Sequence, residues 1–530
     1  MSEPRLVAEF LERTAQRAPE RVAITLPKAQ HTYGALDLRA NRLAQALRAR
    51  GVRRGDRVVI LGDNHVDIAV SIFGVSKADA AFCVINGQTK ADKIEYILRD
   101  SGASAFIADA AGQTQWLEAC ARLRSTGSPL RAVLACGADA ALIAKAVERA
   151  RELGLAHAEA LADAERGSPD APPPRRAIDV DLASIIYTSG STGEPKGAML
   201  THRNMEFASW SVTTLLQNTP DDVVLGVVPL SFNYGLYQWL MSARLGMRLV
   251  MERGFAFPAQ VLQRVAAERV TGFPGVPTMF ALLGELKNLP ELDLSSMRYV
   301  SSTAAAMLPK HFAALRRWFP EADVYSMYGL TECKRVSWLP PRDIDRKPGS
   351  VGLPIPGTEF WVIGPDGERL GPNETGELVV RGSHVSPGYW KKPEATARYM
   401  RPGPLPHEVN LHTGDACRID EEGYLYFIAR LDEVIKTRGE KVAPREVEAA
   451  LERIEGVLEC AVIGVEDDVL GAAVKAFVVL AEGYAGRYTA RDITLRLGQM
   501  LEPYMVPKHV EFMDTLPKTS MGKILKKGLR

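Results

Sequence analysis

The chain is sparing in the features that mark specialised proteins. Cysteine is scarce: six in 530 residues, at Cys83, Cys120, Cys136, Cys333, Cys417 and Cys460. None forms a Cys-x-x-Cys pair and none has metal-like spacing to a histidine. That excludes a disulfide scaffold or a zinc finger and leaves free, mostly buried thiols in a reducing, cytoplasmic setting as the expectation. A surplus of one charge is also missing, with 65 Lys and Arg against 64 Asp and Glu and a net charge of +1. A nucleic-acid partner is therefore not expected. No run of about 18 uncharged apolar residues occurs, so no membrane span is expected. The N-terminal stretch MSEPRLVAEFLERTAQRAPER is charged throughout and lacks the apolar centre of a signal peptide. Internal repeats are absent too.

What remains is an ordinary globular composition, 46% hydrophobic and 24% charged. A chain this long splits into two or more packed units. Leu36, Ala40, Leu43, Ala44 and Leu47 recur at helical spacing and predict one buried helix face. VVIL (58–61) and VLAC (133–136) read as short buried strands, and helix and strand patterns alternate through IIYTSG, RLVM, VTGF, RYVSS and DVYSMYG. The alternation predicts an α/β fold of helix-covered sheets. Residues 161–178, rich in Pro and charge, read as a solvated linker or surface loop. Between about 350 and 428, Gly/Pro turns break short β-type runs, the texture of hairpins or a small barrel. After about 432 the helix–strand pattern returns and predicts a compact αβ unit of its own.

The strongest local signal is an apolar strand running into a loop: Ile185-Ile186-Tyr187-Thr188-Ser189-Gly190-Ser191-Thr192-Gly193-Glu194-Pro195-Lys196-Gly197. Glycines let backbone N–H groups face a phosphate without a Cβ in the way, hydroxyls add donors, and a lysine adds charge. The order differs from the common phosphate loop, because Lys196 precedes Gly197. A Gly/Ser turn alone is usually just a turn; the ordered run of Thr, Ser, Gly and Lys after a strand is harder to explain that way.

YTSGSTGEPKG resembles the signature of the adenylate-forming superfamily: acyl-CoA synthetases, aryl-CoA ligases, luciferases and peptide-synthetase adenylation domains. Further blocks of that family follow in order. They are Tyr328-Gly329-Leu330-Thr331-Glu332, Thr413-Gly414-Asp415, Arg430 to Gly439 (RLDEVIKTRG), and Pro517 to Lys523 (PKTSMGK). The resemblance covers nearly the whole chain and is closest in pattern to benzoate- and anthranilate-type aryl-CoA ligases. It implies a large N-terminal domain over 1–431, with a small barrel at about 350–428, and a rotating C-terminal lid over 432–530.

The implied chemistry has two halves. ATP and a carboxylic acid first give an acyl-adenylate and pyrophosphate; the acyl group then passes to the thiol of coenzyme A. By resemblance, Thr188, Ser189, Gly190, Ser191, Thr192, Gly193 and Lys196 hold the β- and γ-phosphates. Thr188 and Glu332 ligate Mg²⁺, a hard cation suited to oxygen. Tyr328 stacks on adenine, Thr331 touches the α-phosphate, and Asp415 accepts from both ribose hydroxyls. Arg430 reaches the ribose or phosphate, although Ala429 stands where the family usually has Gly. Lys523 is the expected catalytic lysine of adenylation. The hinge is Asp432. Rotation about it removes Lys523 and brings in Lys436 for the thioester step, with Gly439 giving a pantetheine arm room. Taken singly, Glu332 and Lys523 read as surface residues and Asp432 as half of a surface ion pair.

The acid is expected to lie against Phe232, Asn233, Tyr234 and Gly235, against Ala304, Ala305 and Ala306, and against Met327 and Cys333. Neutral Asn233 stands where amino-acid-activating relatives have an Asp, which disfavours a substrate ammonium. The slot reads as flat and mostly apolar and suits a small aromatic acid such as benzoate, salicylate or anthranilate. A medium-chain fatty acid is the alternative substrate, and an acyl carrier protein the alternative acceptor. A homodimer is compatible with this reading, which leaves oligomeric state open. Lys334 and Arg335 follow Cys333 where the family often has small residues. They either face solvent or bind something acidic.

Overall fold

A computed structural model describes residues 3–529 apart from 125–129, 156, 189–194, 287–290, 304–306, 308, 438–439, 468–470 and 519–523. Two compact units emerge: one of 1–343, 354–359 and 380–411, the other of 344–353, 360–379 and 412–530.

The first unit carries two mostly parallel sheets. One orders the strands Ala158–Ala160, Ala132–Cys136, Ala105–Asp109, Arg57–Leu61, Ala81–Ile85, Leu182–Thr188 and Lys196–Thr201. Only its last pair is antiparallel. The other runs from Ser337–Leu339 through Asp323–Tyr328, Tyr299–Ser302, Gly272–Gly275, Val223–Gly226, Arg248–Met251 and Val22–Leu26 to Ala29–Thr32. Parallel strands are covered on both faces, which is why VVIL and VLAC are continuous apolar runs rather than alternating ones. The helix Tyr33–Ala49 turns Leu36, Ala40, Leu43, Ala44 and Leu47 into the core, all fully buried as the spacing predicts. Helix Val66–Lys77 packs in the same core.

The stretch 161–178 departs from expectation at its start. Residues Leu161–Arg166 form a short helix, and Glu165 is buried against Arg39 at 2.9 Å. Asp163 and Arg166 of the same helix stay exposed to solvent. Beyond it the chain is an exposed loop, with Arg42 paired to Asp170 at 2.6 Å. The expected β region forms a five-stranded sheet that includes Thr358–Ile363, Gly376–Gly382, Val409–Ile419 and Leu425–Arg430.

In the last hundred residues a three-stranded sheet, Val457–Asp467, Gly471–Leu480 and His509–Phe512, packs against helices Pro444–Leu451 and Ala490–Leu497. Val447, Leu451, Val462, Val474, Val478, Ile493 and Leu497 form its own core. All six cysteines are free and buried. Among the described residues no helix is long and apolar enough to cross a membrane.

Candidate active site

The loop 189–194 lies outside the described residues, but both its ends are set. Thr188 and Lys196 face each other as the last pair of an antiparallel ladder. The Thr188 hydroxyl donates to the Lys196 carbonyl at 3.4 Å, and Tyr96 donates to the Pro195 carbonyl at 3.1 Å. A segment from far along the chain is stitched onto this ladder. Met199 N–H donates to the Gly388 carbonyl at 2.9 Å and Trp390 N–H to the Gly197 carbonyl at 2.8 Å. Gly388 sits at φ +142°, a conformation L side chains rarely adopt, and a Cβ there would meet Thr396 at 2.4 Å.

That stitching delivers Tyr389. Its hydroxyl donates to Glu332 Oε1 at 2.5 Å, while Ser386 N–H donates to the Glu332 carbonyl at 2.7 Å. The Lys196 ammonium lies 5.9 Å from the centre of the Tyr389 ring and 5.8 Å from that of Tyr399, within cation–π range. Thr188, Lys196, Tyr389 and Glu332 thus form one contiguous chain of contacts. Tyr389 was not among the expected site residues. Its only sequence signal is the run Ser386-Pro387-Gly388-Tyr389-Trp390.

Tyr328 and Met327 end the strand Asp323–Tyr328, and Thr331 and Glu332 sit in the turn that follows. Gly329 lets that turn fold back. A Cβ on it would stand 2.3 Å from the Lys334 carbonyl oxygen and 2.8 Å from the Arg335 Cα.

A second cluster lies on the other unit. Asp415 is buried on the strand Val409–Ile419, and Arg430 faces it across the ladder, Nη1 donating to Oδ1 at 2.7 Å. Gly414, at φ +69°, donates to Glu377 at 3.0 Å, and the Thr413 hydroxyl donates to the Leu378 carbonyl at 2.9 Å. Arg430 Nε is 3.5 Å from Asp432, so the expected hinge residue takes part in a half-exposed ion pair.

Around the expected acid slot, Asn233 and Tyr234 open the helix Asn233–Leu245, preceded by Phe232 in extended conformation. The Tyr234 hydroxyl is 2.8 Å from both the carbonyl and the hydroxyl of Ser301. Gly235 is held against backbone, where a Cβ would meet the Pro229 carbonyl oxygen at 2.2 Å. Met327 and Cys333 are both buried, and among the described residues the buried Asn233 Oδ1 has no partner. Lys334 and Arg335 do not face solvent: both are buried, at 5% and 2% exposure. Ser189, Gly190, Ser191, Thr192, Gly193, Ala304, Ala305, Ala306, Gly439 and Lys523 lie outside the described residues, as does the side chain of Lys436.

The chain is similar over nearly its whole length to known proteins. The sequence profile of a family described as AMP-binding enzyme matches residues 11–390, and that of the AMP-binding enzyme C-terminal domain matches 446–523. A feruloyl-CoA synthase from Amycolatopsis sp is 36% identical over 98% of this chain and 97% of its own. A long-chain-fatty-acid–CoA ligase from Salmonella typhimurium is 31% identical over 99% of this chain and 94% of its own. Among solved structures, the anthranilate CoA ligase AuaEII in complex with anthranoyl-AMP superposes with a TM-score of 0.83 at 27% identity, covering 98% of this chain and 95% of that one.

Proposed function

The chain belongs to the AMP-binding enzyme family, and from that membership we propose that it activates a carboxylic acid with ATP and transfers the acyl group to coenzyme A. One observation carries the reading. Thr188, Lys196 and Glu332 come from segments up to 144 residues apart in sequence (332 − 188) and are joined through Tyr389. Such convergence of a hydroxyl, an ammonium and a carboxylate at the mouth of a Gly/Ser/Thr loop suits a triphosphate.

ATP and a carboxylate repel each other, so the first step needs charge neutralisation and alignment. Lys196 would hold phosphate oxygens, and Thr188 and Glu332 would hold Mg²⁺. Bound there, the cation supplies neutralisation of the triphosphate. The donor set suits it, since a carboxylate and a hydroxyl are hard oxygen ligands. A cation held by one carboxylate and one hydroxyl must draw its other ligands from phosphate and water, as Mg²⁺ does. Asp415 would accept from the ribose hydroxyls, with Arg430 beside it. Tyr328 would stack on adenine and Thr331 would touch the α-phosphate. Lys523 would bridge the acid and the α-phosphate as the acyl–oxygen–phosphorus bond forms and pyrophosphate leaves. A lid beginning at Asp432 would then exchange Lys523 for Lys436 and Gly439, and the thiol of coenzyme A would displace AMP.

The acid we propose is small and aromatic. The apolar Phe232, Tyr234, Met327 and Cys333 support it, as do the feruloyl- and anthranilate-activating relatives. The test incubates the protein with ATP, Mg²⁺ and a panel of acids, with no thiol, with coenzyme A, or with a phosphopantetheinylated carrier protein. Pyrophosphate release with aryl acids and an acyl-CoA product are expected. Turnover of octanoate with none of any aryl acid would sink the aromatic assignment. Acyl transfer to the carrier alone would replace coenzyme A as acceptor.

A further inference from the structure

Lys334 is a lysine with nothing to hold. It is buried, and among the described residues its side-chain nitrogen has no hydrogen-bond partner. The nitrogen lies 4.1 Å from the centre of the Tyr237 ring and 5.5 Å from that of Tyr234. Its neighbour Arg335 is equally buried, with Nε unpartnered and its guanidinium 5.0 Å from the Tyr234 ring centre. Among the described residues no carboxylate acts on either group, and the charge beside Lys334 is that of Arg335. Burial first, and Arg335 second, hold the Lys334 amine well below the usual lysine range.

This arrangement is costly. A buried cation without a counter-charge is far less favourable than an apolar side chain of the same volume. Lys334 also adopts φ +62°, a left-handed conformation that is unfavourable for a non-glycine residue. Two adjacent basic side chains, a strained backbone and the close approach of Gly329 are packed into one turn. Strain and unmatched charge held by a rigid surround mark functional positions. The aromatic faces offset part of the cost, but a ring has no oxygen to accept the three ammonium hydrogens.

The location says what could supply those acceptors. Both rings belong to the helix Asn233–Leu245 that opens the acid slot, and Cys333, directly before Lys334, is fully buried. We propose that Lys334 and Arg335, caged by Tyr234 and Tyr237, form an anion subsite for a second carboxylate on the acid substrate, remote from the carboxylate that is activated. The inference rests on the acid-activation reading and narrows its substrate class to diacids, aromatic ones first. No covalent step is involved: the second carboxylate is bound and leaves unchanged in the product.

The test compares length-matched pairs, benzoate with isophthalate and terephthalate, and octanoate with suberate, by kcat/KM for pyrophosphate release. Leaving one member of a buried charge pair unmatched costs about 30-fold or more. The diacid of the best pair is expected to exceed its monoacid by that factor, and Lys334→Met to lower the diacid-to-monoacid ratio by about 30-fold. A second measurement stands independent of turnover and of the variant's folding. Isophthalate binding to the wild-type protein is followed by calorimetry at about pH 8 in two buffers of different ionisation enthalpy. Proton uptake is expected with isophthalate and not with benzoate, because the second carboxylate recharges Lys334. Monoacids turned over as well as diacids, an unchanged ratio in Lys334→Met, or no proton uptake would each overturn the subsite. Pyrophosphate release from no acid would overturn the activation reading itself, while the calorimetry would still decide whether the subsite binds dianions.

Discussion

Tyr389 shows how much one side chain can contribute at the phosphate end of the site. Its hydroxyl is 2.5 Å from the Glu332 carboxylate, and its ring lies beside the Lys196 ammonium. The hydroxyl holds one oxygen of the Glu332 carboxylate in place. A hydrogen bond to a charged group is worth about 1.5–3 kcal/mol. Tyr389→Phe keeps the ring and loses the donor. The Mg²⁺ concentration for half-maximal pyrophosphate release is expected to rise by about tenfold, which corresponds to about 1.4 kcal/mol. An unchanged Mg²⁺ dependence would remove Glu332 from the metal site. Nothing in local sequence identifies Tyr389, because its partner stands 57 residues away. Glu332, by contrast, was legible from the motif around it. Lys334 and Arg335 fall between these cases. Their charge is obvious in the sequence, but only packing shows that they are buried with no carboxylate beside them among the described residues.

Among the elements, the helix Val7–Arg17 has its start completed from elsewhere. Its own N-cap, Leu6, offers no side-chain acceptor. The first N–H groups of any helix need one, and His202, opening the helix His202–Leu215, provides it: its Nδ1 accepts from Val7 N–H at 3.1 Å. Only an unprotonated nitrogen can accept, and burial pushes the His202 pKa down to about 4 from 6.5. Above 6.5 the ring is neutral in both folded and unfolded chains. As pH falls from 6.5 toward 4, the unfolded chain takes a proton that the native one refuses, so stability declines by about 1.4 kcal/mol per unit from this group. His202→Asn retains an acceptor that does not titrate. The stability gap between wild type and variant is expected to shift toward the variant by about 2 kcal/mol between pH 6.5 and 5, as read from thermal or urea unfolding at each pH. A gap independent of pH would show that His202 is not a neutral cap.

At the scale of the whole molecule, the proposed chemistry divides between two lysines of the last hundred residues. Lys523→Ala is expected to abolish adenylate formation and to leave thioester formation from supplied acyl-AMP. Lys436→Ala is expected to do the reverse. Each half-reaction is measured separately, by pyrophosphate release and by acyl-CoA formed from synthetic acyl-AMP. Equal loss of both half-reactions in each variant would refute a lid that presents the two lysines in turn.

The alternation of short β runs with amphipathic helices carried the α/β class and the core face of Tyr33–Ala49, because burial of one face leaves a periodic record in local sequence. The motif series carried the family, because turns around phosphates and a ribose demand particular residues at consecutive positions. Tertiary structure alone decided the rest. It set Tyr389 on Glu332 and His202 on Val7, turned the start of the expected linker into a helix, and buried two basic side chains with no carboxylate beside them among the described residues. Hydrogen bonds and electrostatic burial depend on which distant segments meet, and a chain's linear order holds no local trace of that meeting.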